Sequence, residues 1–272
     1  MKTIILLGLT LFCCINIHSQ EIITEANYLK QDSILWTDFG IKQEQLFHCW
    51  EIMPDKQDSI KSEYDKLLKI ANDKNIELAI KYASVPSGLQ RLYMVRLDIS
   101  KDSLENILNS LSTDIQNSAY GKNIREHLQT TQIEEEDSIF TFDCVTDDGQ
   151  KFDWNELADK QVLLLYGGLS CMGNDGRQYL KQLYETTSRN NFLIVVYWPC
   201  SSLQDLQETK KQYPSDYIFI SDFKQDASPM KIKYGTQATP TCFLTDKQHH
   251  IKVKCTGIHP ELFNSYIQFT NN

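Results

Sequence analysis

Val162 to Tyr166 is an unbroken apolar run that ends at Gly167-Gly168. A strand with one wet face alternates apolar and polar residues, whereas a strand covered on both faces does not. Phe192 to Tyr197 is a second run of the same kind. Between the two, Gly167-Gly168-Leu169-Ser170-Cys171 leads into a helical pattern that reaches about Ser188. Such strands need helices above and below them, so the fold class expected is α/β, with a central mixed sheet flanked by helices.

The surrounding segments extend this pattern. Phe140, Phe142 and Cys144 alternate with polar residues, which predicts a strand. Asp147-Asp148-Gly149 is a turn, and Asp153-Trp154-Asn155-Glu156 fits a capping box that opens a short helix. Ser202-Leu203-Gln204-Asp205 caps a further helix, Tyr217 to Ile220 reads as a short strand, and Ser228 to Tyr234 as a short helix. Thr241 to Thr245 and His250 to Lys254 form a hairpin across Asp246 to His249, and a last helix covers Pro260 to Phe269.

The first half has a different rhythm. Residues 21 to about 135 read as helical, with apolar positions Ile60, Tyr64, Leu67, Leu68 and Ala71 at helical spacing. Ile76 to Ala83 repeats the spacing and Val85 to Gly88 reads as a turn. Ser100 is a candidate N-cap for a helix carrying Leu104, Leu108 and Leu111, and one more helix is expected over about Ile115 to Leu128. No cluster in this half suggests chemistry. The division expected is therefore 1–19 signal peptide, 20–135 helical N-terminal region and 136–272 α/β domain.

The signal-peptide reading rests on Lys2 followed by the apolar stretch Ile4 to Ile15, with cleavage expected around Ile17-His18-Ser19. A lipoprotein signal using Cys13 or Cys14 is the competing reading; Leu11-Phe12 is bulky where small residues are usual. The localisation expected is periplasm or cell envelope, with membrane attachment only through such a lipid anchor. A net charge of −9 without a basic cluster argues against nucleic acid as a partner.

Of eight cysteines, Cys49, Cys144, Cys171, Cys200, Cys242 and Cys255 lie beyond the signal. Their irregular spacing does not suggest a disulfide scaffold, and most read as small buried hydrophobes. Cys255-x-x-x-His259 by itself is too few ligands for a metal site, and none is expected.

Three segments carry a resemblance. Lys160 to Tyr166 lead to Cys171; Leu183-Tyr184-Glu185 and Phe192 to Val196 follow; and Tyr234-Gly-Thr-Gln-Ala-Thr-Pro-Thr-Cys-Phe-Leu244 closes the set. Over roughly Ile139 to Phe269 the chain resembles thioredoxin-fold proteins of the TlpA-like type, which exchange thiols and disulfides in the cell envelope. The likeness of Tyr82 to Gly121 to the segment preceding such domains is looser. The resemblance implies a thioredoxin-like sheet, a reactive Cys171, and a cis-proline at Thr239-Pro240 that holds the backbone of a client peptide. Protein thiols or disulfides would be the partners, and no cofactor is called for.

The family motif Trp-Cys-x-x-Cys is degenerate here: Ser170 replaces the tryptophan, Asn174 replaces the second cysteine, and Gly167-Gly168 replace bulkier residues. A cysteine between a strand and a helix faces unpaired N–H groups and the positive end of the helix dipole, which favour the attacking thiolate. Without a second local thiol, release of a mixed disulfide falls to an external reductant or to Cys200. Cys200 would emerge at the same sheet edge if its strand is parallel and adjacent to that before Cys171. The rival reading is a non-catalytic binding module that retains the fold. A copper-handling site at Cys171, Cys200 and His259 is a third, supported only by ligand softness.

Overall fold

The computed structural model describes residues 22–267. The signal segment and the anchor candidates Cys13 and Cys14 lie outside the described residues, and the last helix, expected to run from Pro260 to Phe269, stops at Asn264, after which residues 265–267 are turn and coil. Among the described residues, no helix is long and apolar enough to cross a membrane.

The described residues open with two long helices, α1 (Glu25–Ile52) and α2 (Gln57–Lys81), which pack on each other as a hairpin. Four shorter ones follow: α3 (Pro86–Met94), α4 (Lys101–Ser110), α5 (Thr113–Gln116) and α6 (Ala119–Gln129). Their core is Ala79, Leu92, Tyr93, Leu104, Leu108 and Ile124. Ser100 Oγ accepts from the Ser103 N–H at 3.3 Å, so the expected N-cap of α4 is present. Other helix boundaries differ. The two rhythms around Ala71 and Ala79 belong to one helix, α2. The helix expected over Ile115 to Leu128 is broken at Asn117-Ser118, where Ser118 Oγ caps α6 through Gly121 N. Pro86 is not in a turn but opens α3, a position where its missing N–H costs nothing.

The second half holds β1 (Val145–Thr146), β2 (Gln161–Tyr166), α7 (Gly173–Thr186), β3 (Phe192–Tyr197), α8 (Leu203–Gln212), β4 (Ile218–Ser221), α9 (Pro229–Ile232), β5 (Thr241–Thr245), β6 (Ile251–Thr256) and α10 (Pro260–Asn264). The sheet order is β1-β4-β3-β2-β5-β6. β2, β3 and β4 run parallel, while β1, β5 and β6 pair antiparallel to their neighbours. The sheet is mixed, with helices packed on it, as the apolar runs require. Because side chains alternate across a strand, β2 feeds two cores. Leu163 and Leu165 join Leu180, Phe219 and Phe263 on one face; Val162, Leu164 and Tyr166 join Tyr197, Tyr234 and Phe243 on the other.

Two local expectations fail for a physical reason. Residues 139–144 alternate like a strand but form no ladder. Tyr234 Oη instead accepts from Phe140 N at 3.1 Å and donates to Phe140 O at 2.7 Å, so one side chain takes the place of a neighbouring strand. The Asp153 segment is a 3-10 turn over Trp154–Leu157, and its cap runs from Asn155 N to Asp153 Oδ1 at 3.0 Å rather than forming a reciprocal box.

The helical half docks on the segment that leads into β5. Arg96 is fully buried, stacks on the Tyr93 ring at 4.1 Å, donates to Tyr93 O at 2.9 Å and also donates to Lys231 O. Gln237 Oε1 accepts from Leu97 N at 2.7 Å, and its Nε2 donates to Asp98 Oδ2 at 3.1 Å. Tyr120 Oη donates to Asp226 Oδ2 at 2.9 Å.

Candidate functional site

β2 and β3 are parallel and in register, with Tyr166 opposite Tyr197. Their carboxyl ends therefore emerge together, and the loops that follow carry Cys171 and Cys200. β5 lies on the other side of β2, antiparallel, so its beginning meets the end of β2: Thr241 is opposite Tyr166. This topology brings Thr239-Pro240 beside the loop of Cys171, although 68 residues separate Cys171 from Thr239.

Gly167 and Gly168 make that approach feasible. Both have positive φ, 56° and 87°. A Cβ on Gly168 would lie 2.4 Å from Pro240 N and 2.6 Å from Pro240 Cα, so only glycine lets the two backbones pass. Leu169 then plugs into the core, its carbonyl held by Arg177 Nη1 at 3.1 Å. The N–H groups of Cys171 and Met172 close the turn on Gly168 O, at 3.1 and 3.0 Å.

Cys171 is exposed and lies two residues ahead of the first residue of α7. Its sulfur lies 3.0 Å from Thr239 O and 3.5 Å from Thr239 Oγ1, with Gly168 O also at 3.5 Å. These partners come from the two turns that meet here and not from the first turn of α7. Thr239 is exposed, Pro240 is buried, and the bond between them is cis. Asn174 is exposed in the first turn of α7.

Cys200 stands elsewhere. It is 6% exposed. Its sulfur donates to Ser221 Oγ and Ser202 O, both at 3.4 Å. Burial pushes its pKa up, partly offset by the hydrogen bond to Ser221. Ser221 ends β4, on the far side of β3 from β2, whereas the partners of Cys171 lie toward β5. The structure therefore brings together Cys171, Thr239 and Pro240, and turns Cys200 toward β4.

Several of the solved structures that match this chain are thiol-disulfide oxidoreductases. A thiol-disulfide oxidoreductase from Bacteroides fragilis NCTC 9343 is 18% identical over 47% of this chain and 96% of its own, with a TM-score of 0.42. The thioredoxin domain of a thiol-disulfide oxidoreductase from Bacteroides vulgatus is 17% identical over 49% of this chain and 96% of its own, with a TM-score of 0.43. A thiol-disulfide isomerase from Corynebacterium glutamicum is 13% identical over 48% of this chain and 92% of its own, with a TM-score of 0.42. No protein-family model and no curated protein matches the chain.

Within the α/β half, sequence reasoning passed over two residues that shape the site. Gly168 was visible only as a departure from bulkier residues; what demands it is the Pro240 backbone, which is remote in sequence. Gln237, two residues before Thr239, ties the approach to β5 onto the helical half, and a lone glutamine in a loop carries no signal of that. Among the described residues, no group of three or more His, Cys, Asp or Glu is arranged to hold a metal ion. Cys171, Cys200 and His259 have separate partners: His259 bonds Thr256 O at 2.8 Å and Glu261 Oε1 at 3.3 Å.

Proposed function

We propose that this chain is an exported thiol-disulfide exchange protein of the cell envelope that acts on protein clients through Cys171. The observation that carries the reading is the exposed Cys171 sulfur, 3.0 Å from the carbonyl of Thr239. A sulfur at the carboxyl edge of a parallel sheet, flanked by an exposed stretch of backbone, can meet a client cysteine while that backbone orients the chain around it. Export rests on Lys2 and the apolar stretch Ile4 to Ile15.

In the forward step the Cys171 thiolate attacks a client disulfide. A mixed disulfide forms between Cys171 and one client sulfur, and the other client sulfur leaves as a thiolate that takes up a proton. Asn174 cannot complete the reaction, having no sulfur. An external low-molecular-weight thiol does so: its thiolate attacks the Cys171 sulfur and displaces the client as a thiol, and a second such thiol then attacks the resulting Cys171 adduct, freeing Cys171 and leaving as a symmetric disulfide. Cys200 would serve as the resolving thiol only after its pocket against Ser202 and Ser221 opens.

A non-reducing gel tests the reading. The protein, incubated with a disulfide-bonded client peptide and quenched with acid, should show a mixed-disulfide band that Cys171→Ser abolishes. A band of equal strength in Cys171→Ser overturns it. Persistence of the band in wild type and Cys200→Ser alike, with loss on adding glutathione, assigns release to the external thiol. Release from wild type alone, without added thiol, assigns it to Cys200.

A further inference from the structure

Cys242 and Cys255 sit directly opposite each other on the antiparallel ladder of β5 and β6. The Gly257 N–H donates to Pro240 O at 2.8 Å, which makes Pro240 and Gly257 a hydrogen-bonded pair. Hydrogen-bonded and non-hydrogen-bonded pairs alternate along such a ladder, so Cys242 and Cys255, two residues further on, are again a hydrogen-bonded pair, with Cα atoms about 5.5 Å apart. That separation falls in the middle of the range a disulfide spans, roughly 4.4–6.8 Å. The side chains also point the same way. Cys242 belongs to the core cluster on the Leu163 and Leu165 face, and Cys255 packs against that cluster. Both thiols converge on one acceptor, Gly257 O, at 3.1 Å from the Cys242 sulfur and 3.8 Å from the Cys255 sulfur.

We propose that Cys242 and Cys255 form a second thiol-disulfide centre, separate from Cys171, which reduces a low-molecular-weight disulfide and closes into an intrachain cross-strand bond.

The two cysteines are unequal, which sets the order of events. Cys242 is fully buried, whereas Cys255 is half-buried and open to a small reagent. The adjoining Cys242 thiol lowers the pKa of Cys255, with the charge of His259 adding to it against burial. The adjoining Cys255 sulfur and burial raise Cys242. Cys255 therefore attacks first. Its thiolate displaces one thiolate from the disulfide reagent and forms a mixed disulfide. Cys242 then gives up its proton and displaces the second reagent thiolate from the Cys255 sulfur. The protein pair loses two electrons and two protons; the reagent disulfide gains them and leaves as two thiols. The backbones already stand at bonding separation, so closure needs rotation of side chains and no shift of strands. The new bond lies two residues from Pro240, in the strand that begins beside Cys171.

The experiment uses the whole chain and its Cys171→Ser variant, equilibrated in mixtures of reduced and oxidised glutathione, acid-quenched, alkylated and digested with trypsin. Each cysteine falls in its own peptide, Tyr234–Lys247 and Cys255–Asn272. The linked pair of peptides, lighter by two hydrogens than its separate parts, should accumulate as the buffer becomes oxidising, and equally in Cys171→Ser. Cys242→Ser should instead leave Cys255 carrying glutathione, while Cys255→Ser should leave Cys242 free of it. Separate alkylation of both peptides at the oxidising end, in wild type, would overturn the proposal. So would linkage of either cysteine to Cys171. Neither outcome bears on whether Cys171 exchanges with clients.

Discussion

The Cα of Gly168 lies so close to Pro240 that an added Cβ would meet Pro240 N at 2.4 Å and Pro240 Cβ at 2.5 Å. The two atoms to be separated are backbone or ring atoms, so no side-chain rotation relieves the clash. Gly168 also has φ 87°, which an L side chain resists. Gly168→Ala should cost about 2 kcal/mol or more in urea unfolding. It should also part the Cys171 turn from the Thr239 turn, so mixed-disulfide formation should fall in whatever fraction remains folded. A variant as stable as wild type would show that the close approach is not needed.

Gln237 joins the halves at the root of the Thr239 turn. Removing it frees the Leu97 N–H and the Asp98 carboxylate, bonds of 2.7 and 3.1 Å. Gln237→Ala should destabilise by about 1 kcal/mol. A double-mutant cycle with Asp98→Ala should show the two substitutions costing less together than separately, since they share one bond. Strict additivity would dismiss the contact.

His127 gives the fold a pH dependence with a definite sign. It is 2% exposed in the last turn of α6, and burial pushes its pKa down to about 4, with Arg96 and Lys101 adding to the shift. In the unfolded chain it titrates near 6.5. Between these values the unfolded chain binds a proton that the folded one excludes. Its contribution is therefore complete above about pH 6.5 and is lost as pH falls toward 4, by about 3 kcal/mol at most. His127→Gln should flatten that part of the stability curve. An unchanged slope between pH 6.5 and 4 would remove His127 from the account.

The apolar runs Val162–Tyr166 and Phe192–Tyr197 made the buried parallel strands legible, because full burial leaves no other pattern. Ser100 and Ser202 marked their helices, since a cap is a local hydrogen bond. The stretch from Phe140 to Cys144 misled for the opposite reason: its alternation is real, but Tyr234, far along the chain, satisfies the backbone that a strand partner would have satisfied. At the site, Cys171, Thr239 and Pro240 could be named from their segments. The need for glycine at 168, the burial of Cys200 toward β4 and the pairing of Cys242 with Cys255 depend on register and sheet order, which no single segment displays.

Asn174 stands where the resemblance would place a second thiol. It is exposed in the first turn of α7, so a cysteine there disturbs no core. Asn174→Cys should supply an internal resolving thiol and raise reductase activity in an insulin turbidity assay above that of wild type. A folded variant that stays at the wild-type level would show that the Gly167–Gly168 turn holds Cys171 out of reach of position 174.

Cys171 as the exchanging sulfur can be tested against every other thiol of the mature region at once. The chain, mixed with excess disulfide-bonded peptide and quenched with acid at short intervals, can be digested and the adduct measured at each of Cys49, Cys144, Cys171, Cys200, Cys242 and Cys255. Cys171 should fill first, and faster in the folded chain than in urea. Earlier filling at Cys49 or Cys255, or a Cys171 no faster folded than unfolded, would contradict the account.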